Sequence, residues 1–173
     1  KDSSLALNLA VHRLKNQPFN LDFVREIIEQ AAIVYNSKKS GILELGGGVP
    51  KNTAQQTGPL LDQILRKDHG GQDYIIQITD ARPDTGGLSG ATLQEGKSWG
   101  KVQDSHEDLI TVYTDSTIAF PLLALYALSN EESREQKRIY KNLDKYYKSL
   151  QDSASKVPDK FADILKKSDI NLD

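Results

Sequence analysis

The sequence has no cysteine and no methionine, one tryptophan, three histidines and no long apolar run. Without cysteine there can be neither a disulfide nor a thiolate metal centre. His12, His69 and His106 are far apart and show no ligand spacing, so no metal site is expected. No apolar stretch approaches the ~20 residues that a bilayer span requires, and no signal segment is visible, which points to a cytoplasmic, non-membrane protein. Charge of one sign is also lacking. The 22 basic and 24 acidic residues leave a net charge of −2, which argues against a general nucleic-acid or membrane-surface binder. The chain begins at Lys1 with no methionine anywhere, as a processed, truncated or partly ordered product would.

At 173 residues the chain is long enough for one domain with a real core. Asp2-Ser3-Ser4 ahead of Leu5, Leu9 and His12 reads as a capped helix that Pro18 ends. Asn20 is expected to cap a second helix, with Val24, Ile27, Ile28, Ala31 and Tyr35 as its apolar stripe. Gly41 to Leu45 reads as a short buried parallel strand. Gly46-Gly47-Gly48 then turns into a helix that Gly58-Pro59 interrupts and that resumes through Leu60, Leu61, Ile64 and Leu65. Such a turn is either a tight turn or a phosphate cradle, and it lacks the dinucleotide fingerprint. Asp73–Thr79 and Ile110–Thr114 read as further strands, and Asp115-Ser116-Thr117 as the cap of a helix over Ile118–Leu128. The expected architecture is α/β, a Rossmann-like doubly wound parallel sheet flanked by helices. From Ser129 the composition turns charge-dense. Tyr140, Leu143, Tyr147 and Leu150 stripe one face, and Phe161, Ile164 and Leu165 stripe a last short helix. The expected division is therefore an α/β domain over residues 1–129 and an amphipathic helical tail over 130–173, packed on the domain or on a partner subunit.

The most chemistry-bearing stretch is Gly86-Gly87-Leu88-Ser89-Gly90 followed by Glu95-Gly96-Lys97-Ser98-Trp99-Gly100-Lys101. If extended, it would bring Glu95, Trp99 and Lys101 to one wall; a helical turn from Ala91-Thr92 to Lys97 is the competing local reading. An amine beside an indole, with a carboxylate to handle protons, suits imine chemistry on an amine substrate. The plain alternative is a solvated Lys101 whose stem lies over Trp99.

Ser98-Trp99-Gly100-Lys101-Val102 behind Glu95 resembles the active-site segment of deoxyhypusine synthase and its homospermidine synthase relatives. Leu45-Gly46-Gly47-Gly48-Val49-Pro50-Lys51, Asp73-Tyr74, and Val112-Tyr113-Thr114-Asp115 with Phe120-Pro121-Leu122-Leu123 recur there in the same order. The resemblance covers roughly residues 1–125, in the second half of a longer family chain. It implies an NAD-dependent aminobutyl or aminoalkyl transferase acting on spermidine or a related amine. NAD accepts a hydride from the amine, and the lysine at Lys101 captures the four-carbon fragment as an imine. That fragment passes to an acceptor amine, and the bound NADH reduces the product.

The resemblance makes Lys101 the nucleophile, Glu95 a substrate or proton-handling group and Trp99 a wall around the imine. NAD contacts fall on Asp2, Gly47, Asp80, Ala81, Asp115 and Ser116. Substrate contacts fall on Asn52, Gly86, Gly87, Leu88 and Ser89, with Glu95 and Trp99. It also implies a homo-oligomer, a tetramer by analogy, or completion by the amino-terminal half.

The departures are Asn52 for a histidine, Gln77 for a tyrosine, and Leu88 and Leu7 for aspartates. Each lost charged hydrogen bond is worth about 1.5–3 kcal/mol, so the lysine chemistry is better founded than spermidine as substrate. The alternatives are homospermidine synthesis with putrescine as acceptor, a non-catalytic NAD-binding module, and a subunit whose site a partner chain completes.

Overall fold

A computed structural model describes residues 4–17, 19, 21–103, 109–130 and 135–157. Helix α1 (Ser4–Leu14) is followed by α2 (Phe23–Tyr35), then by strand β1 (Gly41–Leu45). Asp22, not Asn20, caps α2, its side chain accepting from Arg25 N at 2.9 Å; Asn20, Asp2 and Pro18 lie outside the described residues. After β1 come α3 (Val49–Gln55), the short α4 (Thr57–Pro59) and a π-type turn over Leu60–Ile64. Strand β2 (Tyr74–Thr79), α5 (Leu93–Ser98), β3 (Leu109–Tyr113), α6 (Ser116–Asn130) and α7 (Leu143–Ala154) complete the order.

The described strands form a parallel three-stranded sheet in the order β1-β2-β3, with helices against it. The mixed α/β expectation holds at that level. Two local readings do not. Leu93–Ser98 is helical, so Glu95 and Trp99 do not alternate along an extended segment; Thr92 caps the helix by accepting from Glu95 N at 3.2 Å, which wins over β-geometry. Nor is β1 a uniformly buried strand. At the edge of the sheet formed by the described residues, it leaves Leu43 and Leu45 44% and 46% exposed, and the residue it buries is Glu44.

One core cluster joins Ala31 and Ala32 of α2 to Leu61 and to Leu150 of α7. Tyr146 packs there, Tyr35 Oη donates to Ser153 Oγ, and Lys67 Nζ donates to Ser153 O, so α7 lies on α2. Val24, Ile27 and Tyr140 face outward instead, because the contact is made by the small alanines and not by the whole stripe. Residues Phe161, Ile164 and Leu165 lie outside the described residues. A second cluster, Ile75, Leu93 and Val102 with Leu109, seats α5 on the sheet. No helix among the described residues is long and apolar enough to cross a membrane.

The segment carrying Lys101 is held by backbone contact. Gln72 N donates to Lys101 O at 3.1 Å and Gln103 N donates to Gln72 O at 3.2 Å, a one-residue parallel bridge centred on Gln72 and Val102. Gly71, at φ +91°, makes this approach possible: a Cβ there would meet Val102 N at 2.5 Å and Lys101 C at 2.6 Å. Gly58 does the same from α4, where a Cβ would meet Gly100 O at 2.6 Å.

Substituting Gly71→Ala should therefore lower stability by about 2–4 kcal/mol in urea unfolding, combining strained φ with overpacking. At Gly87, where a Cβ would meet nothing within 4 Å, Gly87→Ala should stay within about 0.5 kcal/mol of the parent. Burial holds the Glu44 carboxyl above its ordinary range, against the opposing effects of the Gln55 hydrogen bond and the charges of Lys51 and Lys101. The native state thus keeps a proton that the unfolded chain has released in the window above 4.5. Stability should fall as pH rises through that window, and chemical unfolding of Glu44→Gln at several pH values should lack this component of the slope.

Candidate active-site cleft

Helix α3 leaves β1 through Gly46–Gly48 with Pro50 in its first turn, where the missing N–H costs nothing. Its inner face carries Lys51, Asn52 and Gln55, which with the Gly86–Ala91 loop and α5 line a cleft of about 470 Å³. Asn52 Nδ2 donates to Gly48 O at 3.1 Å, which turns Oδ1 toward the cleft; Lys101 Nζ donates to that oxygen at 2.9 Å. The ε-amino group is therefore fixed in a half-buried position and not spread into solvent.

Lys51 holds the opposite wall. It is buried, and its Nζ donates to Ala91 O at 2.6 Å and to Leu88 O at 3.5 Å. Gln77, buried on β2, donates from Nε2 to Ser89 O at 3.0 Å. The glycine-serine loop is thus tied down through three of its carbonyls. Burial pulls the Lys51 ammonium below its ordinary range; Glu44 and Glu95 oppose that shift and the Lys101 charge adds to it.

The residues expected at the site separate into two groups. Lys101, Glu95, Trp99, Asn52, Gly86, Gly87 and Leu88 all line the cleft. Trp99 is 65% exposed, so within this chain it forms a rim and leaves one side of the cleft open. Ser89 stands behind the wall, its Cα 3.1 Å from where a Gly47 Cβ would lie. A side chain at position 47 would have to displace this backbone, so the glycine turn and the Ser89 segment lie in close approach.

Asp80, Ala81, Asp115 and Ser116 do not line the cleft; they follow the carboxyl ends of β2 and β3. Ala81 N donates to Thr79 Oγ1 at 3.1 Å, leaving Asp80 exposed. Asp115 accepts from Thr117 N and Thr117 Oγ1, both at 2.8 Å, and these bonds hold its carboxyl below the ordinary range. Two exposed carboxylates at adjacent strand ends are acceptors of the kind that ribose hydroxyls can donate to. Among the described residues no cluster of metal-binding side chains occurs.

Three residues were not assigned a role from sequence: Lys51, Gln55 and Glu44. The available signal was Glu44 itself, the one charge inside an apolar strand run, and the i, i+4 spacing of Lys51 and Gln55 on α3.

The sequence profile of deoxyhypusine synthase matches residues 1–127. The chain is 45% identical over 155 residues to the deoxyhypusine synthase-like protein of Nostoc punctiforme, covering 87% of this chain and 40% of that protein. It is 43% identical over 158 residues to the deoxyhypusine synthase-like protein of Thermosynechococcus vestitus, covering 87% and 39% respectively. It is 41% identical over 138 residues to the probable deoxyhypusine synthase 2 of Methanosarcina acetivorans, covering 80% and 39%. The chain spans well under half the length of each of these relatives. With the lysine-bearing cleft and the matched profile agreeing over the same residues, this chain belongs to the deoxyhypusine synthase family.

Proposed function

We propose that the chain forms the lysine-bearing part of an NAD-dependent aminobutyl transferase, acting on spermidine or a related amine. The observation that carries this reading is the Lys101 ε-amino group, half-buried in a cleft and oriented by Asn52 Oδ1. Lys101 is the nucleophile toward a carbon made electrophilic by oxidation of the amine, and Glu95, at the cleft's exposed end, binds an ammonium or accepts its proton. Asn52 orients the amine, Lys51 and Gln77 hold the loop wall, and Leu88 and Trp99 offer apolar surface to a carbon chain. NAD, when bound with its ribose hydroxyls on Asp80 and Asp115, would supply the hydride acceptor.

In this reading residues 1–129 are the NAD-binding-type catalytic domain and 130–173 a helical tail. More protein completes the site, whether further copies of the chain or the amino-terminal half of the relatives. That view is supported by the open rim at Trp99 and by α6, an apolar helix with none of its residues buried among the described ones. The relatives reported above carry the deoxyhypusine synthase name, and putrescine as acceptor has no separate support.

Incubation with NAD and a panel of diamines, polyamines and agmatine, followed by borohydride, should add mass to the peptide containing Lys101. Lys101→Ala should show no such increment, while Asn52→Ala should reduce it about tenfold or more through lost orientation of the amine. Absence of trapping with every amine, together with tight NAD binding, would instead identify a non-catalytic NAD-binding module.

A further inference from the structure

Under the cleft floor lies a buried polar layer to which the proposed reaction assigns no charge-bearing role. Glu44, Gln55, Lys51 and Gln77 are 4%, 3%, 5% and 1% exposed. Glu44 stands beside Gln77 across the β1–β2 pairing. Gln55 Nε2 donates to Glu44 Oε1, while Glu44 Oε2 is buried and meets no hydrogen-bond donor among the described residues. Lys51 directs its ammonium at the carbonyls of Leu88 and Ala91 and not at this carboxylate.

A carboxyl with one unpaired oxygen in a buried layer is a costly feature that a neutral side chain would avoid. Its counterpart is equally costly, because two carbonyl dipoles only partly replace the water around an ammonium. In a medium of low dielectric, opposite charges compensate each other beyond contact distance. The groups that face Glu44 are Lys51 and Gln55 from α3, Gln77 from β2 and Lys101 from the segment after α5; Glu95 of α5 faces Lys51.

We propose that Glu44 is a positioning residue: its negative charge keeps Lys51 protonated within the buried layer, and Lys51 in turn holds the Leu88–Ala91 loop against the cleft that contains Lys101. Gln55 fixes the carboxyl in place without carrying the charge. The loop wall is therefore secured by a buried pair of opposite charges that do not touch. Removing the carboxylate's charge should loosen a loop that has no direct contact with it.

The test is competitive acetylation of the full chain with acetic anhydride across pH, read peptide by peptide, alongside amide hydrogen exchange of residues 88–91. In Glu44→Gln the pH at which Lys51 becomes reactive should fall by about half a unit, a roughly threefold gain in reactivity at fixed pH. Exchange at residues 88–91 should quicken several-fold, while exposed Lys148 on α7 keeps its parental profile. Glu44→Asp and Gln55→Leu, which retain the charge, should keep the Lys51 onset of the parent. In the unsubstituted protein, loop protection corrected for intrinsic exchange should decline as pH falls and Glu44 takes up its proton. An unchanged Lys51 onset and loop exchange in Glu44→Gln would overturn the proposal. If that variant does not fold, flat loop protection from pH 8 to 4 in the parent does so. Neither readout needs an amine or NAD, so failure of imine trapping and failure of this inference are separately visible.

Discussion

Everything in the cleft depends on how closely one backbone approaches another. Gly71 and Gln72 lie against Lys101 and Val102 at a separation that no Cβ at position 71 would permit. Gly58 closes the same contact from the other side. A lysine tip on four methylenes is disordered unless its Cα is fixed, since each free rotamer costs conformational entropy to immobilise. Here the Cα is fixed by main-chain hydrogen bonds, and Val102 anchors the next position in the core beside Ile75 and Leu93. Only the last few bonds of the side chain remain to be oriented, and the single hydrogen bond to Asn52 suffices for that.

The opposite wall follows a different logic. The Gly86–Ala91 loop has little apolar side chain to bury, so backbone packing at Ser89 and Gly90 is supplemented by polar contacts. Donors reach it from beneath, Lys51 from α3 to the Leu88 and Ala91 carbonyls and Gln77 from β2 to the Ser89 carbonyl. Buried donors of this kind stabilise only when satisfied, and a charged one needs a compensating charge as well. That requirement gives a physical reason for a carboxylate on β1, where strand patterning alone would favour leucine or isoleucine.

Element types were legible in the sequence where a side chain's own chemistry sets them. Asp115 before Thr117 reads as a helix cap and is one, because the carboxylate-to-backbone bond is local. Thr92 before Glu95 likewise starts α5, and the helical reading of that stretch prevails over the extended one. What sequence could not supply was direction across the sheet. Glu44 looked like an interruption in an apolar strand, yet its burial depends on Gln55, eleven positions away on another element. Of the expected site residues, those on the loop and α5 converge with Asn52 on one cleft. The strand-end residues Asp80 and Asp115 do not join them, since each follows a separate β-strand and neither lines the cleft.

Asn52 bears most directly on the chemistry. The resemblance leads one to expect a histidine there, and a histidine brings its own titration. The amide that replaces it has one orientation, because Nδ2 is committed to Gly48 O, and it presents an oxygen that can only accept. Such an oxygen accepts from an ammonium and from a neutral amine alike. The side chains that depart toward apolar character, Leu88 and Leu7, are those expected to meet substrate ammonium groups, and Leu88 lies on the cleft wall. Lys101 thus keeps an oriented amine in the cleft, while Leu88 puts an apolar side chain on the cleft wall. On the function proposed above, a cleft altered in this way would keep the means of capturing an amine-derived fragment and relax the demand that the substrate carry several positive charges.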